Sequence, residues 1–210
     1  MDTKKSLQKY LEELSSNSPT PGGGNVAALC GTLAASLGTM VCNLTIGKKK
    51  YLDVEAEMNE IKVKLNAYSE KFLMLAKNDN EAFDRVMDAF KLPKETEEQK
   101  KLRAEAIEKS TLEAASVPGD VINICHEMLP LLETIAKKGN QNSLSDAGVA
   151  ISLISTASES AYLNVLINFT ALTDKQKAFE LMNNAELRTN EIKEETQFIL
   201  SEIKSKIRGK

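Results

Sequence analysis

One carboxylate occupies an unexpected position in the sequence, on the apolar stripe of a long predicted helix. Apolar side chains recur from Val54 to Ala89 at alternating steps of four and three residues, a spacing typical of bundled helices. Asp79 interrupts this stripe. Burying an unpaired carboxylate costs about 1–3 kcal/mol or more, and partial burial raises its pKa towards the range that suits general acid–base catalysis. Asp79 is therefore the leading catalytic candidate, whereas a helix that bends or ends near Asn78 would leave it as an exposed cap.

A second carboxylate, Asp146, ends a polar loop that begins at Asn140 and precedes a nearly uncharged segment. It could face the same pocket as Asp79. The commoner role of a carboxylate at this position is to stabilise the N-terminus of the following helix, by about 0.3–1 kcal/mol. The pattern leaves both roles open.

A glycine-rich segment could bring a ligand close to the main chain. It comprises Pro21, Gly22, Gly23, Gly24 and Asn25. The glycines carry no side chain to obstruct a ligand, and amides at a helix N-terminus form a natural anion site. A flexible turn, with Asn25 as the cap of the next helix, explains the same residues.

Three consecutive lysines, Lys48, Lys49 and Lys50, follow the apolar segment that starts at Asn25. Cations are favourable at a helix C-terminus, which is sufficient to explain them. They could also hold the carboxylates of a ligand.

Several kinds of site are missing from the sequence. His126 is the one histidine, and no set of His, Cys and carboxylate residues has the spacing of a zinc site. There is no Gly-x-Ser-x-Gly elbow, and the glycine run lacks the Lys and Ser/Thr of a phosphate-binding loop. The 27 basic and 30 acidic residues nearly balance, which argues against nucleic acid as a partner. What remains is acid–base chemistry by carboxylates, without a metal or a bound cofactor, or a protein that is not an enzyme.

The elements that must position these residues are all predicted to be helices. The boundaries of these helices are predicted from hydrophobic periodicity, capping patterns, glycines and prolines. Pro118 is predicted to separate the fourth helix from the fifth. The predicted helices cover residues 3–16, 25–47, 52–92, 97–117, 118–139, 147–169 and 173–207. We therefore predict an all-α, multihelical bundle or array in one domain, 1–210.

Two of these segments, 25–47 and 147–169, are almost free of charge. Their length would cross a bilayer, but polar residues and many Ala and Gly favour buried helices of a soluble protein. Helices that are apolar all round must be covered on every side, which predicts a homodimer or larger homo-oligomer. Three cysteines without paired spacing indicate a reducing compartment, so the predicted location is the cytoplasm, with no membrane partner.

Six short segments, in order along nearly the whole chain, resemble the signature of the formiminotetrahydrofolate cyclodeaminase/methenyltetrahydrofolate cyclohydrolase family. They are SPTPGGGNVAA (18–28), MVCNLTIGKKKY (40–51), DNEAF (79–83), LPK (92–94), GNQNSLSD (139–146) and NVLIN (164–168). Asn25 stands where the family commonly has Ser, and Gln141 where it commonly has Pro.

The resemblance implies an all-α enzyme that forms dimers or higher oligomers and binds folate in a cleft near the subunit interface. Tetrahydrofolate is then the substrate carrier and no other cofactor is expected. The implied reaction is cyclodeamination of 5-formiminotetrahydrofolate to 5,10-methenyltetrahydrofolate and ammonia. The alternative is methenyltetrahydrofolate cyclohydrolase activity at the same site. An alternative from another functional class is a non-catalytic helical oligomer that binds folate or a protein.

The family's proposed catalytic aspartate precedes a Glu-Ala-Phe triplet by two residues, which falls on Asp79, the proton shuttle of this hypothesis. Its polar loop places Ser145 and Asp146 in the substrate pocket. The residues from Pro21 to Asn25 would shape that pocket. Lys48, Lys49 and Lys50 would hold the glutamate tail of the folate, which can be a polyglutamate.

Overall fold

The computed structural model describes residues 5–209, apart from the side chain of Lys177, and contains six α-helices and no strand in that range. The all-α prediction is confirmed. The helices are α1 (Leu7–Leu14), α2 (Gly23–Thr45), α3 (Glu55–Phe90), α4 (Glu97–Lys138), α5 (Leu144–Ala171) and α6 (Lys175–Ile207). Short 3₁₀ turns, Lys49–Val54 and Gln141–Ser143, precede α3 and α5.

The two nearly uncharged helices, α2 and α5, pack against each other and form the centre of the bundle. They run antiparallel, because the start of α2 lies beside Asn164 of α5 and the end of α2 lies beside the loop that precedes α5. By length and composition alone, α2 and the segment Gln141–Ala171 could each cross a membrane. Helix α3 packs on α2, α4 packs on α3 and α5, and α6 covers α5.

The predicted break at Pro118 is wrong, because α4 runs unbroken from Glu97 to Lys138 with Pro118 and Pro130 inside it. Proline has no N–H, so the carbonyl four residues earlier, that of Ala114, loses its helical donor. The side-chain amide of Asn168 on α5 donates to this carbonyl at 3.4 Å. A donor from a distant part of the chain therefore supplies the hydrogen bond that Pro118 removes.

The helix ends agree with the sequence in part. The capping box of Thr96 and Gln99 is confirmed at the start of α4. A second box predicted at Thr173 is wrong, because the Thr173 hydroxyl and amide both donate to Glu108 of α4, and α6 begins at Lys175. Helix α3 starts three residues later than predicted, after its 3₁₀ turn. The predicted first helix, 3–16, begins at Thr3, which lies outside the described residues. Helix α1 ends at Leu14, two residues before the predicted end.

Candidate active site

The position of Asp79 is set by the way α2 packs antiparallel on α3. Three pairs at seven-residue spacing show the register: Gly24 with Asp79, Gly31 with Phe72, and Gly38 with Leu65. In each pair the glycine forms a notch that the side chain from α3 fills. A Cβ on Gly31 would lie 2.5 Å from the Phe72 ring, and one on Gly24 would overlap the Asp79 carboxylate. The apolar stripe of α3 thus brings Asp79 to α2 as the third of three equivalent side chains.

This packing places the Asp79 carboxylate at the N-terminus of α2. Gly22, the N-cap residue, provides no side-chain hydrogen bond to the free amides of the first turn. The Asp79 carboxylate lies against Gly24, and the adjacent main-chain N–H of Asn25 stabilises its ionised form, which lowers the pKa of the carboxyl. Burial acts in the opposite direction and is the larger effect, so the pKa of Asp79 is raised above its ordinary value. Such a carboxyl can take up and release a proton closer to neutral pH.

Asp79 faces a cavity of about 300 Å³ between the start of α2 and the helices α3, α4 and α5. Among the described residues, Asp79 is the only titratable side chain that lines it. The remaining lining residues are the loop residues Pro19, Thr20 and Gly22, the glycines Gly23 and Gly24, the apolar Phe83, Val86, Ala114 and Ile167, and the amides Asn164 and Asn168. An acid–base group therefore faces apolar walls and two amide side chains, a composition typical of small-molecule sites.

The prediction that Asn25 caps α2 is wrong. Asn25 lies inside the first turn of the helix with its side chain buried. Its Oδ1 accepts a hydrogen bond from the Tyr10 hydroxyl at 2.9 Å. Its Nδ2 donates to the main-chain oxygen of Ala76 at 2.6 Å and to Asn80 Oδ1 at 3.3 Å. The Asn25 side chain thus joins α1, α2 and α3 directly behind Asp79.

Asn164 and Asn168 were not among the predicted site residues, although both belong to a segment that carries the family resemblance. They lie one turn apart on α5 and both line the cavity. Each uses its Nδ2 on a main-chain oxygen, Asn164 on that of Ser160 at 2.8 Å and Asn168 on that of Ala114. Their Oδ1 atoms are the acceptors that these side chains can offer to a ligand. The spacing of four residues on a predicted helix was the available signal.

The predicted residues of the polar loop and the lysine run lie at the other end of α2. The amide of Asn140 donates to Thr45 Oγ1 at 2.8 Å, which fixes the loop to the last turn of α2. The 23 residues of α2 separate this end from Asp79 by about 30 Å. The predicted residues at this far end are Lys48, Lys49, Lys50 and Ser145, which are exposed, and Asp146, which is half-buried in the first turn of α5. One chain therefore does not bring them to Asp79.

Of the glycine-rich segment, Gly22, Gly23 and Gly24 line the cavity. Pro21 is buried and lines two neighbouring clefts on the outer side of the segment, one of which it shares with Asn25. In residues 5–209, no three His, Cys, Asp or Glu side chains come together as a group of possible metal ligands.

The family model described as formiminotransferase-cyclodeaminase matches residues 6–187. The chain belongs to this family. The resemblance seen in the six sequence segments is thereby confirmed, and the cavity at Asp79 is the candidate active site of a formiminotransferase-cyclodeaminase family member.

Relatives of this family member carry two kinds of name. This chain is 40% identical to a methenyltetrahydrofolate cyclohydrolase of Methylorubrum extorquens over 207 residues, which are 99% of this chain and 100% of the relative. It is 31% identical to the formimidoyltransferase-cyclodeaminase of Sus scrofa over 96% of this chain but only 37% of that protein. The crystal structure of formiminotetrahydrofolate cyclodeaminase from Thermotoga maritima superposes with a TM-score of 0.82 at 33% identity, covering 95% of this chain and 98% of that one.

Proposed function

We propose that this chain is a folate one-carbon enzyme that hydrolyses 5,10-methenyltetrahydrofolate to 10-formyltetrahydrofolate. Acid–base catalysis is supported by one observation: the Asp79 carboxylate has a raised pKa and faces the cavity from the N-terminus of α2. The choice of hydrolysis rests on the Methylorubrum extorquens relative, which matches from end to end.

In this mechanism Asp79 moves one proton. A water molecule attacks the methenyl carbon between N5 and N10, and Asp79 accepts a proton from that water as the carbon–oxygen bond forms. The bond between the tetrahedral carbon and N5 then breaks, the electron pair remains on N5, and Asp79 returns the proton there. The hydroxyl proton of the adduct passes to solvent as the C=O bond of the formyl group forms. The formyl group stays on N10. No step needs a metal or an additional cofactor.

The cavity suits the flat, polar pterin ring of the substrate. Phe83 and Ile167 offer apolar surface to its faces, and Asn164 and Asn168 offer acceptors for its amino and N–H donors. A volume of about 300 Å³ is at the lower end for ligand sites, so the remainder of a folate must extend beyond it.

A second candidate reaction is cyclodeamination of 5-formiminotetrahydrofolate. N10 attacks the carbon of the protonated formimino group on N5, ammonia leaves, and 5,10-methenyltetrahydrofolate forms. Asp79 would accept the proton of N10 and donate one to the leaving ammonia, at the same carbon as in hydrolysis. The Thermotoga maritima structure, which carries this name and matches over nearly its full length, supports this candidate.

A second copy of the chain would complete the site. Helices α2 and α5 each expose a stripe without charge, which includes Leu33, Met40, Val149 and Leu163. In a two-fold dimer these stripes would pair antiparallel, so that the far end of α2 in one copy meets the Asp79 cavity of the other. Lys48, Lys49, Lys50, Ser145 and Asp146 would then reach the glutamate tail of the bound folate.

Turnover of the purified protein with each substrate tests the proposal, followed by the methenyl chromophore in the near ultraviolet. Loss of methenyltetrahydrofolate faster than in buffer supports the hydrolase. A rising methenyl signal with release of ammonia from 5-formiminotetrahydrofolate supports the cyclodeaminase. Folate binding without turnover of either substrate would contradict both and favour a non-catalytic binding protein. The proposed setting is a cytoplasmic homodimer with one catalytic domain per chain.

A further inference from the structure

The Asn25 side chain ties three helices together within one turn of Asp79. It accepts from the Tyr10 hydroxyl and donates to the Ala76 carbonyl. The Asp79 carboxylate lies against the neighbouring Gly24, where the main-chain N–H of Asn25 stabilises its charge. Ala76 and Asn80 flank Asp79 on α3, one on each side. Any movement of Asn25 therefore changes the distance between its N–H and the carboxylate.

Tyr10 is the residue that holds Asn25 from the other side. It is the one buried residue of α1 and is only 4% exposed, whereas Leu7 and Leu11 of the same helix are more than half exposed. The Tyr10 hydroxyl bond to Asn25 thus joins α1 to the site through a buried polar contact, of a kind that rigidifies its surroundings when it is satisfied.

We propose that Tyr10, acting through Asn25, is a positioning residue that holds the first turn of α2 against the Asp79 carboxylate. The inference rests on the proposed role of Asp79, and it assigns a function to α1, which brings none of its described residues to the cavity. Without the Tyr10 hydroxyl, Asn25 gains freedom and its N–H stabilises the charge on Asp79 less well. The carboxylate then loses part of its stabilisation while its burial remains.

Two ion pairs lie near this network, and the α-amino group of the chain also lowers the pKa of Asp79. Lys5 bonds Glu13 at 2.8 Å beside α1, and Lys77 lies 3.3 Å from Glu81 on α3. Helices α4 and α5 bring only uncharged side chains to the cavity among its described lining residues. Tyr10 itself has a raised pKa because of its burial, so it stays protonated as a donor across the working range. Tyr10→Phe changes no charge, so a change in the titration of Asp79 in this variant reports the loss of the hydroxyl contact.

The experiment compares Tyr10→Phe with Tyr68→Phe, a matched control. Tyr68 lies on α3, eleven residues before Asp79, and its hydroxyl bonds Glu127 at 3.2 Å outside the cavity. The titration of Asp79 is followed by carboxyl ¹³C NMR, with the signal assigned from its loss in Asp79→Asn. Tyr10→Phe should raise the Asp79 midpoint and move the acidic limb of kcat/KM to higher pH. It should also lower kcat/KM about three- to tenfold, the effect of one net hydrogen bond.

Tyr68→Phe should leave both the midpoint and the limb unchanged. In an Asn25→Ala background, Tyr10→Phe should have no further effect, because the contact it removes is already absent. An unchanged Asp79 midpoint in folded Tyr10→Phe, or additive effects in the double variant, would overturn the proposal. The NMR titration does not need turnover, so it separates failure of this proposal from failure of the proposed reaction.

Discussion

Gly24 and Asp79 are in such close contact that the carboxylate occupies the space in which any other residue at position 24 would place its Cβ. The contact fixes the carboxylate over the free amides of α2 and directs it into the cavity. A glycine here is therefore a requirement of the site as well as of helix packing.

Gly24→Ala should separate activity from folding. The added methyl group must displace Asp79 from the first turn of α2, and we expect kcat to fall by about 10²-fold or more, because small misplacements of a catalytic group have effects of this size. Steady-state kinetics and circular dichroism measure the two effects.

Two other glycine variants serve as controls for Gly24→Ala. Gly119→Ala on α4 places its methyl group where nothing lies within 4 Å, so it should keep full activity and gain about 0.5–1 kcal/mol in stability. Gly31→Ala meets the Phe72 ring and should mainly lower the melting temperature. Wild-type activity in Gly24→Ala would show that the position of the carboxylate does not matter.

Asp79→Asn should remove activity and stabilise the protein at neutral pH. The amide keeps the shape and an acceptor for the Asn25 N–H but cannot carry the proton, so kcat should fall about 10²–10⁴-fold. Because burial raises the folded-state pKa of Asp79, its contribution to stability is fully present below the unfolded pKa and is lost as pH rises through the folded value.

The gain in melting temperature of Asp79→Asn over wild type should therefore be largest at neutral pH and disappear in acid. Thermal unfolding of both proteins between acidic and neutral pH measures it. Asp120→Asn on α4 removes another carboxylate with a pKa raised by burial, but outside the cavity, and should retain turnover. Equal loss of turnover in both variants would remove the special role of Asp79.

Asn168→Ala should destabilise α4 at Pro118, because the Ala114 carbonyl then lacks its donor. We expect a loss of about 1 kcal/mol, typical of one hydrogen bond, together with a raised KM. Chemical denaturation measures the stability. Pro118→Ala restores the N–H within the helix, so Asn168→Ala should be less harmful to stability in that background. A loss of the same size in both backgrounds would mean that the contact with Ala114 has no stabilising role.

A charge on the uncharged stripe of α2 should prevent assembly and activity together. Met40→Glu would place a carboxylate within the proposed dimer contact, and sedimentation should then show monomers with little turnover. Val63→Glu on α3, an equally apolar position that is 70% exposed outside these stripes, is the matched control and should remain dimeric and active. Active monomers of Met40→Glu would contradict a site completed by a second copy.

Mixing two inactive variants examines the shared site directly. One carries Asp79→Asn and the other replaces Lys48, Lys49 and Lys50 with Gln. If each site uses Asp79 of one copy and the lysines of the other, a mixed dimer holds one intact site, so an equimolar mixture should regain about a quarter of wild-type turnover. No recovery after subunit exchange, verified by mass spectrometry, would place all site residues in one chain.

The sequence predicted the helical class and singled out Asp79 because both depend on short-range periodicity. The stripe of α3 is apolar or aromatic except at Asp79. The packing of α2 on this stripe places the Asp79 carboxylate in the cavity. Short-range periodicity could not predict the roles of Asn25 and Asn168. Each bonds a main-chain carbonyl more than fifty residues away, at Ala76 and Ala114, so only the folded bundle shows what they do.

The prediction at Pro118 failed for a related reason, because a long-range contact overrides a local rule. Local rules end a helix at such a residue, and they fail here because Asn168 supplies a donor from α5. Asp146 lies in the first turn of α5, as the commoner of its two predicted roles required. A role of Asp146 in catalysis requires the proposed second copy, because one chain keeps it at the far end of α2 from Asp79.

The seven-residue spacing of the three glycine notches restricts how this part of the protein can change in length. An insertion of one residue between Gly24 and Gly38 would turn the rest of α2 by about 100° and empty the notches beyond it. A deletion of seven residues from both α2 and α3 would shorten the bundle by about 10 Å and still leave a carboxylate opposite a glycine. Viable length variants of this scaffold should therefore differ by whole heptads, taken from both helices at once.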